Sequence, residues 1–210
     1  MSKKTFKISL LGEGKVGKTS ILTAYIKNEF CFEALCTVGI EENFKKKTFD
    51  NVEYKFKIFD TAGQERYNSI ASSTVQIADG FFMVFAVDEK KSYEKIITWI
   101  DSIKECVNLE EKVLFIIGNK CDVGSEERKV GKEEAEKFAK SYNAKYFETS
   151  AYTMEGINDA FEDMFKDVYE MYKKNKNDNN NIRNSNIILN KKNVGNVNNK
   201  DKKKKKCFFF

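Results

Sequence analysis

Strand-like and helix-like patterns of apolar residues alternate along most of the chain. The segment 6–11 is mainly apolar and predicts a strand, and the runs 81–87 and 113–117 are almost continuously apolar. Such runs are typical of central strands that helices cover on both faces. Apolar residues at helical spacing follow the strands, at 21–26, 96–103, 135–139 and 157–168. The alternation predicts an α/β fold with a doubly wound sheet.

The segment 52–58 has a different pattern, in which every second residue is apolar. Val52, Tyr54, Phe56 and Ile58 alternate with three charged residues. One face of this strand is therefore expected to be buried and the other solvated, and we interpret it as an edge strand. In doubly wound folds, ligands bind beyond the carboxyl ends of the strands. The residues directly after each strand are therefore the candidates for chemistry.

Composition predicts one folded domain followed by a basic tail. The chain has 210 residues, of which 41% are hydrophobic and 33% charged, enough for one core. From Lys173 onward it carries 12 Lys and Arg against two Asp, whereas residues 1–172 have five more acidic than basic residues. The Asn- and Lys-rich segment 173–206 cannot bury enough apolar surface to fold. We expect a domain over 5–172 and a disordered tail over 173–206.

The absence of histidine, the spacing of the cysteines and the lack of long apolar segments exclude several classes of protein. The chain has no histidine, and its five cysteines are scattered without metal-binding spacing, which predicts a reducing, cytoplasmic compartment. The N-terminus lacks the apolar stretch of a secretory signal, and no apolar run is long enough to span a bilayer. Phe81, Phe82 and Trp99 are interpreted as core residues rather than as a cofactor site.

A glycine-rich loop follows the first strand. Gly12, Gly17, Lys18 and Thr19 fit the pattern G-x-x-x-x-G-K-[ST], in which backbone N–H groups surround phosphate oxygens and the lysine reaches the outer phosphates. The helix that follows adds the positive end of its dipole. An ordinary glycine turn remains the alternative for this pattern alone. The candidate phosphate-binding residues are Gly12, Glu13, Gly14, Lys15, Val16, Gly17, Lys18, Thr19 and Ser20.

The second motif is DTAGQE, residues 60–65, directly after the alternating strand. A carboxylate at Asp60 beside a phosphate loop is suited to hold Mg²⁺, directly or through water, together with the hydroxyl of Thr19. Gly63 lets the backbone approach a terminal phosphate, and Gln64 is placed to orient an attacking water. A turn without catalytic role is the alternative for DTAG alone.

Two further motifs point to a guanine base. NKCD, residues 119–122, follows the run 113–117, and ETSA, residues 148–151, follows the next short strand. The carboxylate of Asp122 can accept hydrogen bonds from N1 and N2 of guanine, an arrangement that adenine does not offer. We therefore predict that the site prefers GTP over ATP.

These four motifs, in this order, resemble the Ras superfamily of small GTPases over residues 5–172. The resemblance implies a six-stranded, mostly parallel sheet with helices on both faces, with GTP or GDP and Mg²⁺ as cofactors. It implies that Gln64, Lys18 and Thr37 act in hydrolysis, and that Thr19, Thr37 and, through water, Asp60 hold Mg²⁺. It also implies that Phe30, Asn119, Lys120, Asp122, Ser150 and Ala151 surround the base.

Within the superfamily the chain looks most like an atypical, endocytic-type Rab protein. TVGIE at 37–41 and YNSI at 67–70 are Rab-like, whereas Glu42, Phe59, Thr74 and Val75 replace the aromatic residues of the Rab effector surface. The resemblance implies a switch in vesicle traffic whose partners are an exchange factor, a GTPase-activating protein and effectors at switches I and II. A Ras-like signalling GTPase and a membrane-tethered nucleotide-binding module with little hydrolysis remain alternatives.

The last four residues, CFFF, fit the prenylation pattern C-a-a-X at 207–210. Cys207 would carry the lipid, Phe210 favours a geranylgeranyl group, and Lys202–Lys206 would bind anionic lipids. A prenyl-binding or escort chaperone is then a further partner, at an endosomal, vesicle or plasma membrane. A solvated basic tail and a nuclear-import patch are the alternatives. No base-reading motif accompanies the lysines, so we expect no nucleic-acid partner.

Overall fold

The computed structural model describes residues 4–30, 39–61 and 68–195, with only the helical backbone for 68–72 and 178–195. The strands are β1 (Thr5–Leu11), β2 (Ile40–Phe49), β3 (Val52–Thr61), β4 (Gly80–Ala86), β5 (Val113–Asn119) and β6 (Lys145–Thr149). The helices are α1 (Lys18–Lys27), α2 (Asn68–Ile77), α3 (Lys90–Glu94), α4 (Ile96–Cys106), α5 (Lys132–Ser141) and α6 (Ile157–Gly195), with a 3₁₀ turn at Leu109–Glu111.

The six strands form one sheet in the order β2-β3-β1-β4-β5-β6. β2 runs antiparallel to β3, and all other neighbours are parallel. The predicted six-stranded, mostly parallel sheet is confirmed. β4 and β5 are buried at every position, as their continuous apolar runs predict.

The assignment of β3 to an edge of the sheet was wrong. β3 lies between β1 and β2, and β2 forms the edge. The alternating pattern of β3 instead reflects its outer face, on which Lys55 is exposed and lies over the ring of Phe44 from β2, 3.8 Å from the ring centroid. A solvated face and an unpaired edge leave the same periodicity in a sequence.

Helices cover both faces of the sheet, as predicted. Phe81, Met83 and Phe85 of β4 join buried residues of α2, α4 and α5 in one core cluster. Phe82 points to the opposite face, where its ring lies 4.8 Å from that of Phe161 in α6. There Phe161 stacks on Tyr25 of α1 at 4.0 Å and 7°. The alternation of side chains along β4 therefore supplies both layers.

The chain divides into two compact units, Met1–Met171 and Tyr172–Phe210. Helix α6 continues through Gly195, so its backbone is helical over part of the segment for which the composition predicts disorder. Residues 196–210 lie outside the described residues, and the disordered tail stays a prediction. Among the described residues, no helix combines the length and the apolar character needed to cross a bilayer.

Candidate functional site

The glycine-rich loop connects the end of β1 to the start of α1 at the carboxyl edge of the sheet. Gly12 has φ 143° and Gly17 has φ 95°, both outside the range that most side chains permit. A Cβ at Gly12 would collide with the carbonyl oxygen of Val84, and one at Gly17 with the side-chain nitrogen of Asn119. Both positions therefore require glycine, because the loop packs directly on β4 and β5.

Lys18 is the buried cation of this loop. Its side chain is 5% exposed, and its Nζ donates hydrogen bonds to the carbonyl oxygens of Gly12 at 2.8 Å and Glu13 at 2.7 Å. Burial lowers the pKa of Lys18 to about 8, and the carboxylates of Asp60 and Glu13 oppose that lowering. The ammonium group is thus held inside the loop at the first residue of α1.

Asp60 and Thr19 form the second polar pair of the site. Asp60 lies at the end of β3 and is fully buried, and the hydroxyl Oγ1 of Thr19 donates to its Oδ2 at 2.6 Å. A cleft beside this pair is also lined by Thr23 and Glu41. Hydroxyl and carboxylate oxygens are the donor atoms that Mg²⁺ prefers, and one or two of them suffice when phosphates supply the rest. The residues present therefore fit this ion.

Asn119 joins three motifs that are far apart in the sequence. It is 1% exposed; its Nδ2 donates to the carbonyl oxygen of Val16 at 2.8 Å, and its Oδ1 accepts from Thr149 Oγ1 at 3.1 Å. The side chain therefore ties the end of β5 to the phosphate loop and to the end of β6. This contact brings the phosphate and base motifs into one site.

The rest of NKCD lies at the rim. Lys120 has φ 65°, and its Nζ lies 3.0 Å and 3.2 Å from the two carboxylate oxygens of Asp88, just after β4. Asp122 is exposed. The sequence analysis missed Asp88, because nothing in its neighbourhood marks it as a partner of Lys120.

The ETSA segment adjoins NKCD through the backbone, where the N–H of Cys121 donates to the carbonyl oxygen of Thr149 at 3.1 Å. Ser150 and Ala151 are buried, and the Ser150 hydroxyl oxygen accepts from the N–H of Thr153 at 3.0 Å. The next residue, Tyr152, is 56% exposed, and its ring meets that of Phe30 edge-on at 5.4 Å. Phe30 and Tyr152 therefore form an aromatic pair at this end of the site. Tyr152 was not predicted, although it directly follows the motif.

An ion pair holds the first residue of the ETSA segment, Glu148, in place. Arg128 contacts Glu148 through its guanidinium group, and Tyr146 donates to Glu148 Oε1 at 3.0 Å. Burial, together with the charge of Glu148, raises the pKa of Tyr146. The pair connects the loop after β5 to β6, the two elements that carry NKCD and ETSA.

Trp99 was interpreted as a core residue, and the structure adds a polar contact. Its ring is half-buried and packs against the core cluster. Its Nε1 donates to Glu13 Oε1 at 3.2 Å. Helix α4 therefore touches the phosphate loop, a contact between residues that are 86 positions apart.

The predicted site residues fall into two groups. The structure brings together, around the loop, Gly12, Glu13, Gly14, Lys15, Val16, Gly17, Lys18, Thr19, Ser20, Asp60 and Asn119, and near the base motifs Phe30, Lys120, Asp122, Ser150 and Ala151. Lys15 is exposed and has φ 66°. Thr37, Gly63, Gln64 and Cys207 lie outside the described residues, so their roles stay predictions.

Comparisons with known proteins agree on one family. Residues 7–170 match the model of the Ras family. The chain is 34% identical to the Ras-related protein RABA4d of Arabidopsis thaliana, over 80% of this chain and 75% of the relative. It is also 34% identical to Rab-13 of Bos taurus, over 78% and 79%, and to Rab-11B of Dictyostelium discoideum, over 87% and 84%.

Proposed function

The chain belongs to the Ras family of small GTPases and is Rab-like, and from this premise we propose that it is a membrane-anchored switch of vesicle traffic. Members of the family bind GTP and GDP and hydrolyse GTP, so the chain is a GTPase. The proposal adds which residues do this work, where the protein acts, and that its traffic step is endocytic.

One observation carries the assignment of the site. The Asn119 side chain joins Val16 of the phosphate loop to Thr149 beside ETSA. A nucleotide with its phosphates on the loop would therefore extend its base towards Asp122 and the Phe30–Tyr152 pair. In this pose Lys120, Asp122, Ser150 and Ala151 would contact guanine.

Hydrolysis in such a site requires charge stabilisation rather than a protein nucleophile. Negative charge builds up on the transferred phosphoryl group and on the leaving oxygen. The ammonium of Lys18 and the loop N–H groups would stabilise that charge. Thr19, Thr37 and, through water, Asp60 would hold Mg²⁺, which would supply further charge neutralisation when bound. Gln64 would orient the attacking water.

A single substitution tests this assignment. We expect Gln64→Leu to slow single-turnover hydrolysis at least about tenfold while GTP binding persists, because the water loses its orienting group. Hydrolysis is followed as phosphate release from the GTP-loaded protein in Mg²⁺. Gln76→Leu, at an exposed position of α2, is the matched control and should hydrolyse at the wild-type rate. Equal rates in all three proteins would refute the role of Gln64.

The predicted partners are a nucleotide exchange factor, a GTPase-activating protein and effectors. The positions that correspond to the aromatic Rab effector surface do not form an exposed aromatic patch in this chain. Phe59 is 3% exposed, Thr74 and Val75 are buried, and Glu42 forms an ion pair with Lys57 at 2.6 Å. These features support effectors that differ from those that bind an aromatic surface.

The membrane part of the proposal rests on Cys207 and the five lysines before it. One lipid chain gives marginal binding, and a basic segment adds on the order of 1 kcal/mol per lysine near anionic lipid. We expect Cys207→Ser to move the protein from the membrane to the soluble fraction of cells. Cys106→Ser, at an exposed cysteine of α4, is the control and should stay on the membrane. Retention of the Cys207→Ser variant would refute lipid anchoring.

A further inference from the structure

The contact between Trp99 and Glu13 links a core helix to the phosphate loop. Trp99 is the only tryptophan of the chain, and its half-buried side chain packs against the core cluster. Its indole N–H points to the Glu13 carboxylate, 3.2 Å away. A hydrogen bond to a carboxylate is stronger than one between neutral groups. The position of Glu13 is therefore coupled to that of α4.

Glu13 has two partners that constrain it from different directions. Its carboxylate accepts from Trp99, and its backbone carbonyl accepts from Lys18 Nζ at 2.7 Å. A rotation of this residue would disturb both bonds. On the other side of the loop, Asn119 holds the carbonyl of Val16 at 2.8 Å. Both flanks of the segment Gly14–Lys15 are therefore fixed.

The segment between these flanks contains a residue in an unfavourable conformation. Lys15 has φ 66°, in the left-handed region that side chains with a Cβ rarely adopt. Such a conformation persists only where the surrounding structure holds it in place. A loop with Lys15 at this position therefore tends to open more than one with glycine there, and contacts on its flanks oppose that opening.

We propose that Trp99 is a positioning residue of the phosphate loop, which it holds through Glu13 in the curved form that binds phosphates. This inference rests on the proposed function, because it assumes that the loop binds GDP and GTP. Loss of the contact increases the population of open loops, and the apparent affinity for nucleotide falls in proportion to the closed fraction.

A double-mutant cycle tests the contact. The dissociation constant of GDP is measured for wild type, Trp99→Phe, Glu13→Ala and the double variant, with melting temperatures alongside. We expect each single substitution to weaken GDP binding about tenfold, or ~1.4 kcal/mol. The double variant should lose no more than either single variant, because all remove the same bond. If the losses of GDP affinity in the two single variants multiply in the double variant, the proposal is overturned. No loss of affinity in Trp99→Phe would also overturn it.

A second background separates positioning from simple core packing. Lys15→Gly removes the backbone strain at this position, because glycine adopts positive φ readily. The closed loop then depends less on the contact between Trp99 and Glu13. In that background we expect Trp99→Phe to weaken GDP binding less than about threefold. A full tenfold loss there would show that the indole acts through core packing, and would overturn the proposal.

Tyr93→Phe serves as the matched control. Tyr93 is a half-buried aromatic residue of α3 that packs against the same core cluster and is not part of the loop. We expect its variant to bind GDP within about twofold of wild type. A loss equal to that of Trp99→Phe would overturn the proposal. If the wild-type protein itself fails to bind GDP, the proposed function is refuted. If the wild-type protein binds GDP and the Trp99 and Glu13 variants bind it equally well, only the positioning role of Trp99 is refuted.

Discussion

At the scale of single residues, the burial of Lys18 makes nucleotide binding depend on pH. Its pKa is lowered to about 8 in the protein without nucleotide. Phosphate oxygens interact with the ammonium form, so below pH 8 the site already carries the required charge. As pH rises above 8, a growing fraction of the free protein has lost this proton and must take it up again to bind. Affinity therefore decreases as pH rises through this range.

We expect the affinity for GDP to be nearly constant from pH 6.5 to 7.5 and to fall by up to about tenfold per unit above pH 8. Calorimetric titrations in buffers of different ionisation enthalpy measure the proton uptake directly. Uptake should be close to zero at pH 7 and should approach one proton at pH 9. A flat affinity with no proton uptake at pH 9 would contradict the role of Lys18.

Site residues that lie together in one short sequence motif could be predicted. Residues that contact the site only because the fold brings them close could not. Gly12, Gly17 and Lys18 lie in one short loop, so their spacing alone indicates a phosphate site. Asp88 and Trp99 were missed as site neighbours. Each acts on a residue that the fold, rather than the sequence, brings near, across 32 and 86 positions.

At the scale of elements, the ion pair between Arg128 and Glu148 holds the loop after β5 against β6. The two side chains are 24% and 18% exposed, so either one left alone would remain largely buried without its counter-ion. Arg128→Met should reduce the free energy of unfolding by about 1–3 kcal/mol, measured by urea denaturation.

The pair between Lys90 and Glu134 provides a control for this prediction. Its side chains are 42% and 47% exposed, and such surface pairs typically contribute about 0–1 kcal/mol. Lys90→Met should therefore change the stability much less than Arg128→Met. Equal losses in the two variants would show that burial does not distinguish the pairs.

The central strands β4 and β5 could be predicted from the sequence, but the place of β3 in the sheet could not. Continuous apolar runs indicated that β4 and β5 are central strands, because a strand that is buried on both faces needs apolar residues at successive positions. The alternation in β3 records one solvated face, marked by Lys55, and carries no information about neighbours. Its partner β2 contains few apolar residues and gave no clear strand pattern in the sequence.

At the scale of the whole molecule, nucleotide binding should raise thermal stability. A ligand that binds only the folded chain, at a thousandfold excess over its Kd, adds about 4 kcal/mol. For a domain of this size that corresponds to an increase of about 10 °C in Tm. We expect this shift with GDP but not with ADP, measured on nucleotide-free protein by scanning fluorimetry in Mg²⁺.

Asp122→Asn is the companion variant for this experiment. It should keep the Tm of the nucleotide-free protein, since Asp122 is exposed. It should lose most of the GDP shift, because a charge-assisted pair with guanine is removed. An equal shift with ADP, or a full GDP shift in this variant, would contradict the guanine preference.

The edge strand β2 has a consequence for how copies of this protein behave in concentrated solution. Within the part of the chain that the structure describes, the outer edge of its ten residues has no neighbouring strand, and such an edge can template pairing between molecules. Lys45, Lys46 and Lys47 lie in succession on this strand. Lysine side chains on an edge strand oppose edge-to-edge pairing because their charges must be desolvated, so we expect these lysines to lower the tendency of copies to associate through β2.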